Sequence, residues 1–413
     1  MLLVYQFPWM VDIPLSNWEF YMNDIILRNG TIVDPINGIH ALLDLRIRGG
    51  LIDEVGANIE SGFGDRIINL SGKIVTPGII DLHTHVYDGV SSNGVNPDLA
   101  GVLSGVTTVV DAGSAGSSTF GGFPSHVIPN SNTQIFSFLH IARAGLSVRP
   151  EISSRLDIEL EETIDLIKSN KLIIQGVKVR AVSPGARILG LDLIKLAKEA
   201  ANEGDVPLMV HIGDTDYIDG EPLTRNLLPL LDSGDIVTHL FTTNPGRIVQ
   251  DEKIIPEIFE AQERGVFLDT AHGRLNFSFD VARRALDAGL IPDSISTDIT
   301  LPGRLTTVYS MTEMMTRFLA FGFSVDEVVR MTTISPARAL GMQDSLGTLS
   351  ARRIADISVL ELVSGDWEVS DPLGNKLKVD KAFSPVMTFK SGKMFSPDWG
   401  PHEWGWLPNP QNG

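Results

Sequence analysis

The side chains best able to do chemistry are four histidines and an aspartate that each follow a short apolar run. His83 and His85 lie in GIIDLHTHVYDG, and because strand side chains alternate between two faces, both imidazoles point to the same side. His211 follows VPLMV, His239 follows DIVT, and Asp298 ends SISTD. An isolated H-x-H pair is as easily two polar residues at a strand end, but recurrence after several runs favours a shared site. Neutral imidazoles with a carboxylate are ligands that zinc prefers, so the sequence predicts a metal centre.

A lysine is the unusual member of this group. Lys178 lies in the apolar run IIQGVKVRA, where an ammonium group would be costly to bury. One interpretation is a lysine whose aliphatic stem is buried while its amine reaches solvent. The other interpretation is chemical, because a desolvated neutral amine can add carbon dioxide and become a carbamate. That reaction converts a cation into a bidentate anion able to bridge two metal ions.

Eight apolar, β-branched runs separated by helical patterns would have to position these side chains. The runs recur about every 30 residues, the size of a strand–helix unit. They are centred near His83, Val109, Ser137, Val177, Met209, Thr238, Leu268 and Ser296. Eight such units predict an α/β fold, a (β/α)8 TIM barrel, with a doubly wound open sheet as the competing architecture. Active sites of these barrels lie at the C-terminal ends of the strands, where the candidate ligands are found.

Two β-rich segments flank the barrel region and are expected to form one small, discontinuous β-sandwich lobe. They alternate apolar and polar residues in short runs with glycine-containing turns between them. The expected order is an N-terminal arm, the first part of the lobe, the barrel, the second part of the lobe and a C-terminal tail, over residues 1–23, 24–75, 76–346, 347–395 and 396–413. The Gly/Ser-rich stretch 112–124 is expected to be a loop, either a mobile flap or an ordinary surface loop.

Composition excludes several classes of protein. The 413 residues include 51 acidic and 33 basic side chains, for a net charge of −18, which disfavours nucleic acid and anionic membranes as partners. There is no cysteine, so disulfides and thiolate ligands are excluded, and a reducing, cytoplasmic location is expected. No uncharged run is long enough to cross a bilayer, and the apolar N-terminus lacks the basic region of a signal peptide. An apolar arm favours self-association, so a homo-oligomer is one expectation.

A resemblance to a known family follows from these motifs. VTPGIIDLHTH over residues 75–85 resembles the V-x-P-G-x-I-D-x-H-x-H signature of the amidohydrolase superfamily of binuclear metal hydrolases. Lys178, His211, His239 and Asp298 match the positions of that family's carboxylated lysine, two further histidines and aspartate. The likeness spans most of the chain between arm and tail, and is greatest to the dihydroorotase-like amidohydrolase/deacetylase metallohydrolases. It implies the barrel and the flanking β lobe.

The resemblance also implies the cofactors, which are two divalent metal ions, expected to be zinc, and carbon dioxide bound to a lysine. The resemblance implies that the first ion is held by His83, His85 and Asp298, and the second ion by His211 and His239. It also implies that the two ions are bridged by Lys178 in its carboxylated form. A hydroxide between the metals would attack the substrate carbonyl. Asp298 would accept the hydroxide proton and return it to the leaving group.

Three further side chains are candidate contacts for the small-molecule substrate. Arg180 has the same strand parity as the lysine and either clamps a substrate carboxylate or forms an ordinary structural ion pair. His140 follows the third barrel strand and His272 follows the seventh, so both are expected at the mouth of the barrel. Asp81 shares a face with His83, and is either a hydrogen-bond partner that orients it or a plain buried aspartate.

Departures from the family pattern narrow the reaction. Val86 and Tyr87 stand where dihydroorotases of the superfamily carry an arginine for the substrate carboxylate, His140 lies in the region where dihydropyrimidinases place a tyrosine, and the cysteine ligand of D-aminoacylases is absent. The expected reaction is hydrolysis of a non-peptide amide or an ester, with deacylation of an N- or O-acyl carboxylate preferred. A cyclic amidase, a mononuclear deaminase and a non-catalytic assembly homologue are the alternatives. Lys178 argues against the deaminase, and the intact ligand set argues against the assembly protein.

Overall fold

The elements form a parallel barrel and a flanking sheet in a computed structural model that describes residues 24–215 and 220–410. The strands are β1 Ile25–Asp34, β2 Ile39–Arg48, β3 Leu51–Gly56, β4 Arg66–Asn69, β5 Ile74–Pro77, β6 Ile79–Thr84, β7 Val106–Gly116, β8 Gln134–His140, β9 Ile174–Arg180, β10 Leu208–His211, β11 Ile236–Thr238, β12 Val249–Gln250, β13 Lys253–Ile254, β14 Phe267–Asp269, β15 Ile357–Ser370, β16 Lys376–Lys390, β17 Lys393–Phe395 and β18 Asn409–Pro410. The α-helices are α1 Pro97–Ala100, α2 Leu160–Ser169, α3 Gly185–Leu189, α4 Leu191–Gly204, α5 Gly220–Leu227, α6 Pro256–Glu263, α7 Phe279–Asp287, α8 Leu301–Arg304, α9 Met311–Ala320, α10 Val325–Thr332 and α11 Ile334–Ala339. The N-terminal arm expected over 1–23 lies outside the described residues.

Seven parallel strands form the barrel sheet, in the order β14-β11-β10-β9-β8-β7-β6. The segment 294–299 takes the place of the eighth strand, because Ser294 makes a parallel bridge to Asp269 in β14 and Ile299 makes one to Thr84 in β6. The closing segment therefore joins the two edges of the sheet. This arrangement confirms the TIM-barrel prediction, and every centre of an apolar run predicted from the sequence lies in a barrel strand or in the closing segment.

The barrel strands are apolar along their whole length because both of their faces are covered. Every residue of β6 and of β7 is buried. Several of the surrounding helices begin at a side-chain cap. In α10 the side chains of Ser324 and Glu327 cap each other's backbone nitrogens, and the buried face carries Val328 and Met331. Among the described helices none has both the length and the hydrophobicity that crossing a membrane requires.

The stretch 112–124, expected from its glycines and serines to be a loop, is mostly buried structure. Strand β7 continues through its first five residues to Gly116, and the ring of Phe123 stacks on Tyr87 with centroids 4.3 Å apart. The loop interpretation is therefore wrong for 112–116, whereas 117–124 consists of turns and the start of a short helix, with Ser118, Gly121 and Pro124 exposed. Mobility of that second part stays a prediction. The small residues serve close packing: Gly113 has φ +93°, and a Cβ there would lie 2.7 Å from Cγ of Lys178.

The flanking lobe is built from both ends of the described chain, as expected. Its nine strands follow the order β17-β16-β15-β5-β1-β2-β3, with β4 added to β1 and β18 to β15. The N- and C-terminal parts meet where β5 pairs antiparallel with β15, with Val75 opposite Val359. Their buried side chains form a core separate from that of the barrel. The lobe also contacts the barrel, since the backbone nitrogen of Phe383 donates to Oγ1 of Thr316 in α9 at 3.0 Å.

The C-terminal tail folds back on the barrel through a buried ion-pair network. Glu313 in α9 binds Arg317 Nη2 at 3.0 Å through Oε1 and His402 Nε2 at 2.9 Å through Oε2. The side chains of Glu313 and Arg317 are 4% and 1% exposed. The ring of His402 lies between Tyr309 and Trp404. The tail therefore packs against the barrel, where the carboxylate of Glu313 binds it.

Removing that anchor should destabilise the protein strongly. In Glu313→Ala the buried Arg317 guanidinium loses its carboxylate, and uncompensated buried charges cost about 3–5 kcal/mol. We expect a decrease of that size in the free energy of unfolding, measured by urea denaturation. Glu403→Ala, which removes an exposed glutamate of the same tail, is the matched control and should change little. Equal stability of the two variants would contradict the assignment.

Candidate active site

The predicted metal ligands converge at the C-terminal end of the barrel. One ligand atom from each of His83, His239 and Asp298 lies within 4.8 Å of the other two. Oδ1 of Asp298 is 3.0 Å from Nε2 of His85 and 3.5 Å from Nε2 of His83. The ring of His211 meets that of His239 edge to face, with centroids 4.1 Å apart. The structure thus brings together all five side chains that the strand-end pattern singled out.

Lys178 reaches the same place from β9. Its Nζ lies 3.4 Å from Nε2 of His83 and 3.2 Å from Sδ of Met209, and the residue is 1% exposed. The interpretation of an amine that reaches solvent is therefore wrong. Burial lowers the pKa of Lys178 to about 7, against the opposing influence of Asp298 and Asp269. A substantial fraction of the amine is then neutral near neutral pH, which is the form that adds carbon dioxide.

A hydroxyl and a carboxylate orient the first histidine. Nδ1 of His83 lies 2.9 Å from Oγ1 of Thr238, whose hydroxyl donates to Oδ2 of Asp269 at 2.7 Å. Because that hydroxyl proton is committed to Asp269, Thr238 accepts from Nδ1 of His83, which leaves the Nε2 lone pair facing the centre. Asp269 is held in turn by the hydroxyls of Ser294 and Ser296 at 2.6 and 2.8 Å.

Two of the other histidines, His85 and His239, are also oriented by contacts at Nδ1. Nδ1 of His85 lies 2.9 Å from Oγ of Ser114, whose backbone nitrogen donates to Asp111, and Nδ1 of His239 donates to the carbonyl of Ala271 at 2.7 Å. Burial lowers the pKa of His239 to about 4, so its imidazole is neutral at neutral pH. The Nε2 atom of His239 is buried and has no hydrogen-bond partner among the described residues.

This donor set fits divalent metal ions. A buried, unpartnered imidazole nitrogen is costly unless something binds its lone pair. Two ligands of one tetrahedral zinc ion, each about 2 Å from it, lie roughly 3.3 Å apart. The separations of Asp298 from His83 and His85 are close to that value. We conclude that the chain's own side chains are arranged for metal binding.

Two of these residues adopt a backbone conformation that is rare for residues other than glycine. Asp298 has φ 50° and His239 has φ 69°, both in the left-handed region. Such conformations cost roughly 1–3 kcal/mol and persist where the surroundings enforce them. At Asp298 the backbone nitrogen donates to the carbonyl of His83 at 2.7 Å. The preceding residue is held as well, because the backbone nitrogen and hydroxyl of Thr297 donate to Asp81 at 3.0 and 2.6 Å. Asp81 therefore orients the chain beside Asp298, and not the imidazole of His83.

The hydroxyl that supports His83 should matter for metal retention. Thr238→Val keeps the shape of the side chain but removes both hydrogen bonds, and outer partners of metal ligands are worth about 10–100-fold in metal affinity. We expect the metal dissociation constant, measured by chelator competition, to rise by that factor. Thr388→Val is a matched control, because the buried Thr388 hydroxyl in the lobe has no hydrogen-bond partner in the described structure. Unchanged affinity in Thr238→Val would show that the hydroxyl does not position the ligand.

The metal-ligand cluster consists of Lys178, Asp298 and four histidines, and all of its members except His239 line the floor of a cavity of about 600 Å³. This volume is that of a small-molecule site. Its wall is polar and comes mainly from the connections that follow β8, β9, β10 and β14. The wall carries the charged or amide side chains of Asn93, Arg149, Glu151, Arg180, Asp214, Asn244, Arg274 and Asn276.

The three predicted substrate contacts have different positions. Arg180 lines the cavity, but its Nη1 donates to Oε1 of Glu151 at 2.6 Å. His140 and His272 are fully buried and are not part of the cavity lining. Nδ1 of His140 accepts from the backbone nitrogen of Ala142 at 2.9 Å, and His272 stacks on a phenylalanine. Substrate contact by any of the three stays a prediction.

Sequence reasoning missed two groups of residues. Asp111 and Asp269 each stand alone in an apolar run, in VVDAG and FLDTAHG, and that contrast was a usable signal. Arg149 and Arg274 lie in connections after strands, where nothing in the local pattern distinguishes a cavity-facing arginine from a solvated one.

Comparisons with known proteins agree with this geometry. A model of the amidohydrolase family matches residues 236–395. The protein named deacetylase Atu3266, from Agrobacterium fabrum, is 33% identical over 350 residues, which cover 83% of this chain and 84% of that protein. The crystal structure of an adenine deaminase has a TM-score of 0.83 at 28% identity, and that of a dihydroorotase has 0.82 at 32%. Each match covers 91% of this chain and 100% of the other. This chain belongs to the amidohydrolase superfamily.

Proposed function

We propose that the protein is a metal-dependent hydrolase that removes the acyl group from a small N- or O-acylated carboxylate. The observation that carries this proposal is a cluster of neutral imidazoles, a carboxylate and a buried lysine at the floor of a small-molecule cavity whose wall carries arginines. The relative that is named a deacetylase and is similar over most of its length supports deacylation.

The two residues that follow the H-x-H motif differ from those of dihydroorotases, and this difference supports deacylation over opening of a dihydroorotate-like ring. Val86 and Tyr87 are buried, with 0% and 1% exposure. The backbone nitrogen of Val86 donates to Asp111 at 2.9 Å, and the Tyr87 hydroxyl donates to the carbonyl of Thr119. Neither residue offers a cation to the cavity at the position where dihydroorotases of the superfamily carry their arginine.

We propose two divalent metal ions as cofactors, with zinc as the first candidate. His83, His85 and Asp298 would hold one ion, and His211 and His239 the other. Carboxylated Lys178 would bridge them. When bound, the ions supply Lewis-acid polarisation of the scissile carbonyl and activation of the attacking water.

Asp298 is the residue placed to move the proton. Burial alone would raise its pKa, but the hydrogen bond from His85 and the charges of the surrounding groups outweigh burial and hold the pKa below its usual value. The carboxyl group is therefore ionised at neutral pH and is able to accept a proton from the nucleophilic water. It lines the cavity, so it can pass that proton to the departing nitrogen or oxygen of the substrate.

Elemental analysis combined with a substrate screen tests this function. Protein produced with zinc and bicarbonate should contain about two metal ions per chain. It should release acetate from members of a panel of N-acetyl and O-acetyl carboxylates, and chelation should abolish that release. Ring-opening of hydantoins or dihydropyrimidines with no deacylation would favour the cyclic-amidase alternative. Absence of bound metal would overturn the hydrolase proposal and favour the assembly homologue.

A further inference from the structure

The arginines on the cavity wall are in different electrostatic situations. Arg180 is neutralised by Glu151, which is 8% exposed. Arg149 and Arg274 line the same cavity, yet neither forms an ion pair or a hydrogen bond with any residue of the described chain. Burial lowers the pKa of Arg149, and the charges of Arg180 and Arg274 lower it further. Within the described residues, the cavity therefore contains two cations, Arg149 and Arg274, without a protein partner.

The charges of the cavity wall indicate how much negative charge a bound ligand should bring. Among the described residues that line the cavity outside the metal-ligand cluster, the ionisable ones are Arg149, Arg180 and Arg274 against Glu151 and Asp214. One positive charge is left over. A carboxylate brings a single negative charge, whereas a phosphate monoester brings about −1.5 to −2 at neutral pH. The planar guanidinium fork also matches a carboxylate in geometry.

We infer that Arg149 and Arg274 form the subsite that binds the carboxylate of the substrate, and that Arg180 instead holds Glu151 in place. This inference rests on the proposed deacylase function and names the residues that select for an acid. Arg149, Arg274 and Asp298 line the same cavity, so the subsite faces the space that contains the proton-transfer group. The side chain of Asn93 lines the same cavity without a hydrogen-bond partner among described residues, and is a further donor for the anion.

Paired substrates separate recognition of the acid from catalysis. The first probe is an N-acetyl amino acid cleaved in the screen, and the second is its N-methyl amide, which keeps the scissile bond and removes the charge. In Arg149→Ala and in Arg274→Ala we expect kcat/KM for the acid to fall about 10–100-fold, the size expected for loss of a hydrogen bond to a charged group. For the neutral amide we expect a change of less than about threefold in either variant.

Arg143→Ala is the matched control, because Arg143 belongs to the same connection after β8 but is exposed and pairs with Glu159. It should hydrolyse both probes like the parent protein. Equal losses for acid and amide in the Arg149 and Arg274 variants, or no loss in either, would overturn the subsite while leaving the deacylase function intact.

Binding measurements distinguish the failure of the two proposals. The metal-loaded protein and its variants are titrated calorimetrically with the same panel of N-acetyl and O-acetyl acids. If an acid binds, and binding is lost in the double variant of Arg149 and Arg274, while no panel member is cleaved, the subsite stands and the proposed function fails. If acids are cleaved and bound equally well without the two arginines, the subsite fails. Absence of binding by every acid of the panel also overturns it.

Discussion

Asp298→Asn should retain metal and lose turnover. The amide has the shape of the carboxylate, so its oxygen still faces His85 and His83. It cannot take a proton from water or return one to the leaving group. General acid–base catalysis by a positioned side chain contributes about 10²–10⁴-fold, and we expect kcat to fall by a factor in that range. Elemental analysis of the same preparation shows whether metal is kept.

Turnover and metal content, measured together, assign the role of Asp298. Asp287→Asn, an exposed aspartate at the end of α7, is the control and should behave as the parent protein in both measurements. Parent-like turnover in Asp298→Asn would remove the residue from the mechanism. Loss of metal together with turnover would make it a ligand whose part in proton transfer needs a separate demonstration.

The barrel and its ligands could be predicted from the sequence because their signals are local. Runs such as VTTVV and IIQGVKV are apolar on both faces, which is required of strands covered by helices outside and by side chains inside. A residue that follows such a run lies at the rim of the barrel, so spacing alone placed His211 and His239 in one site. The chemistry of Lys178 needed a second argument, from the cost of burying an ammonium group.

The supporting contacts could not be predicted, because they join residues far apart in the chain. Thr238 and His83 are separated by 155 positions, yet their side chains are 2.9 Å apart. A threonine at the end of a strand is ordinary in composition, and only the packing of β6 beside β11 through the barrel interior gives it a partner. The loop prediction was wrong over 112–116 for the opposite reason, since Gly113 and Gly116 allow close approach and were interpreted as a loop signal.

Together these contacts explain why buried carboxylates surround the metal-ligand cluster without competing for its histidines. Asp269 acts through Thr238, Asp111 through Ser114, and Asp81 through the backbone beside Asp298. Each carboxylate is satisfied by hydroxyl or backbone donors, so the Nε2 atoms stay available. A fold that fixes ligands in this way can vary its wall, where Arg149 and Arg274 lie, without disturbing the chemistry at the floor.

Lys178→Ala should reduce the metal content sharply. The parent protein is expected to hold about two ions per chain, and the variant lacks the side chain that we propose to bridge them as a carbamate. The side chain is fully buried beside His83, so no solvent-exposed group replaces it. We expect at most about one ion per chain in the variant and a loss of turnover of at least about 10³-fold, since a two-metal site clamps both the attacking and the leaving atoms.

Carbon-13 labelling makes the test independent of activity. Protein prepared with ¹³C-bicarbonate should show a carbamate resonance that is absent from Lys178→Ala, while Lys168→Ala, which removes an exposed lysine paired with Glu203, should keep it. Lys178→Arg retains the positive charge but cannot be carboxylated, so it should lose metal as the alanine variant does. If both variants keep the parent metal content, the lysine is not a bridge; a content of one ion per chain in the parent and in both variants would indicate a mononuclear enzyme. Burying the Lys178 amine would then cost free energy that no bound metal offsets. The contacts of this amine with His83 and Met209 argue against that outcome.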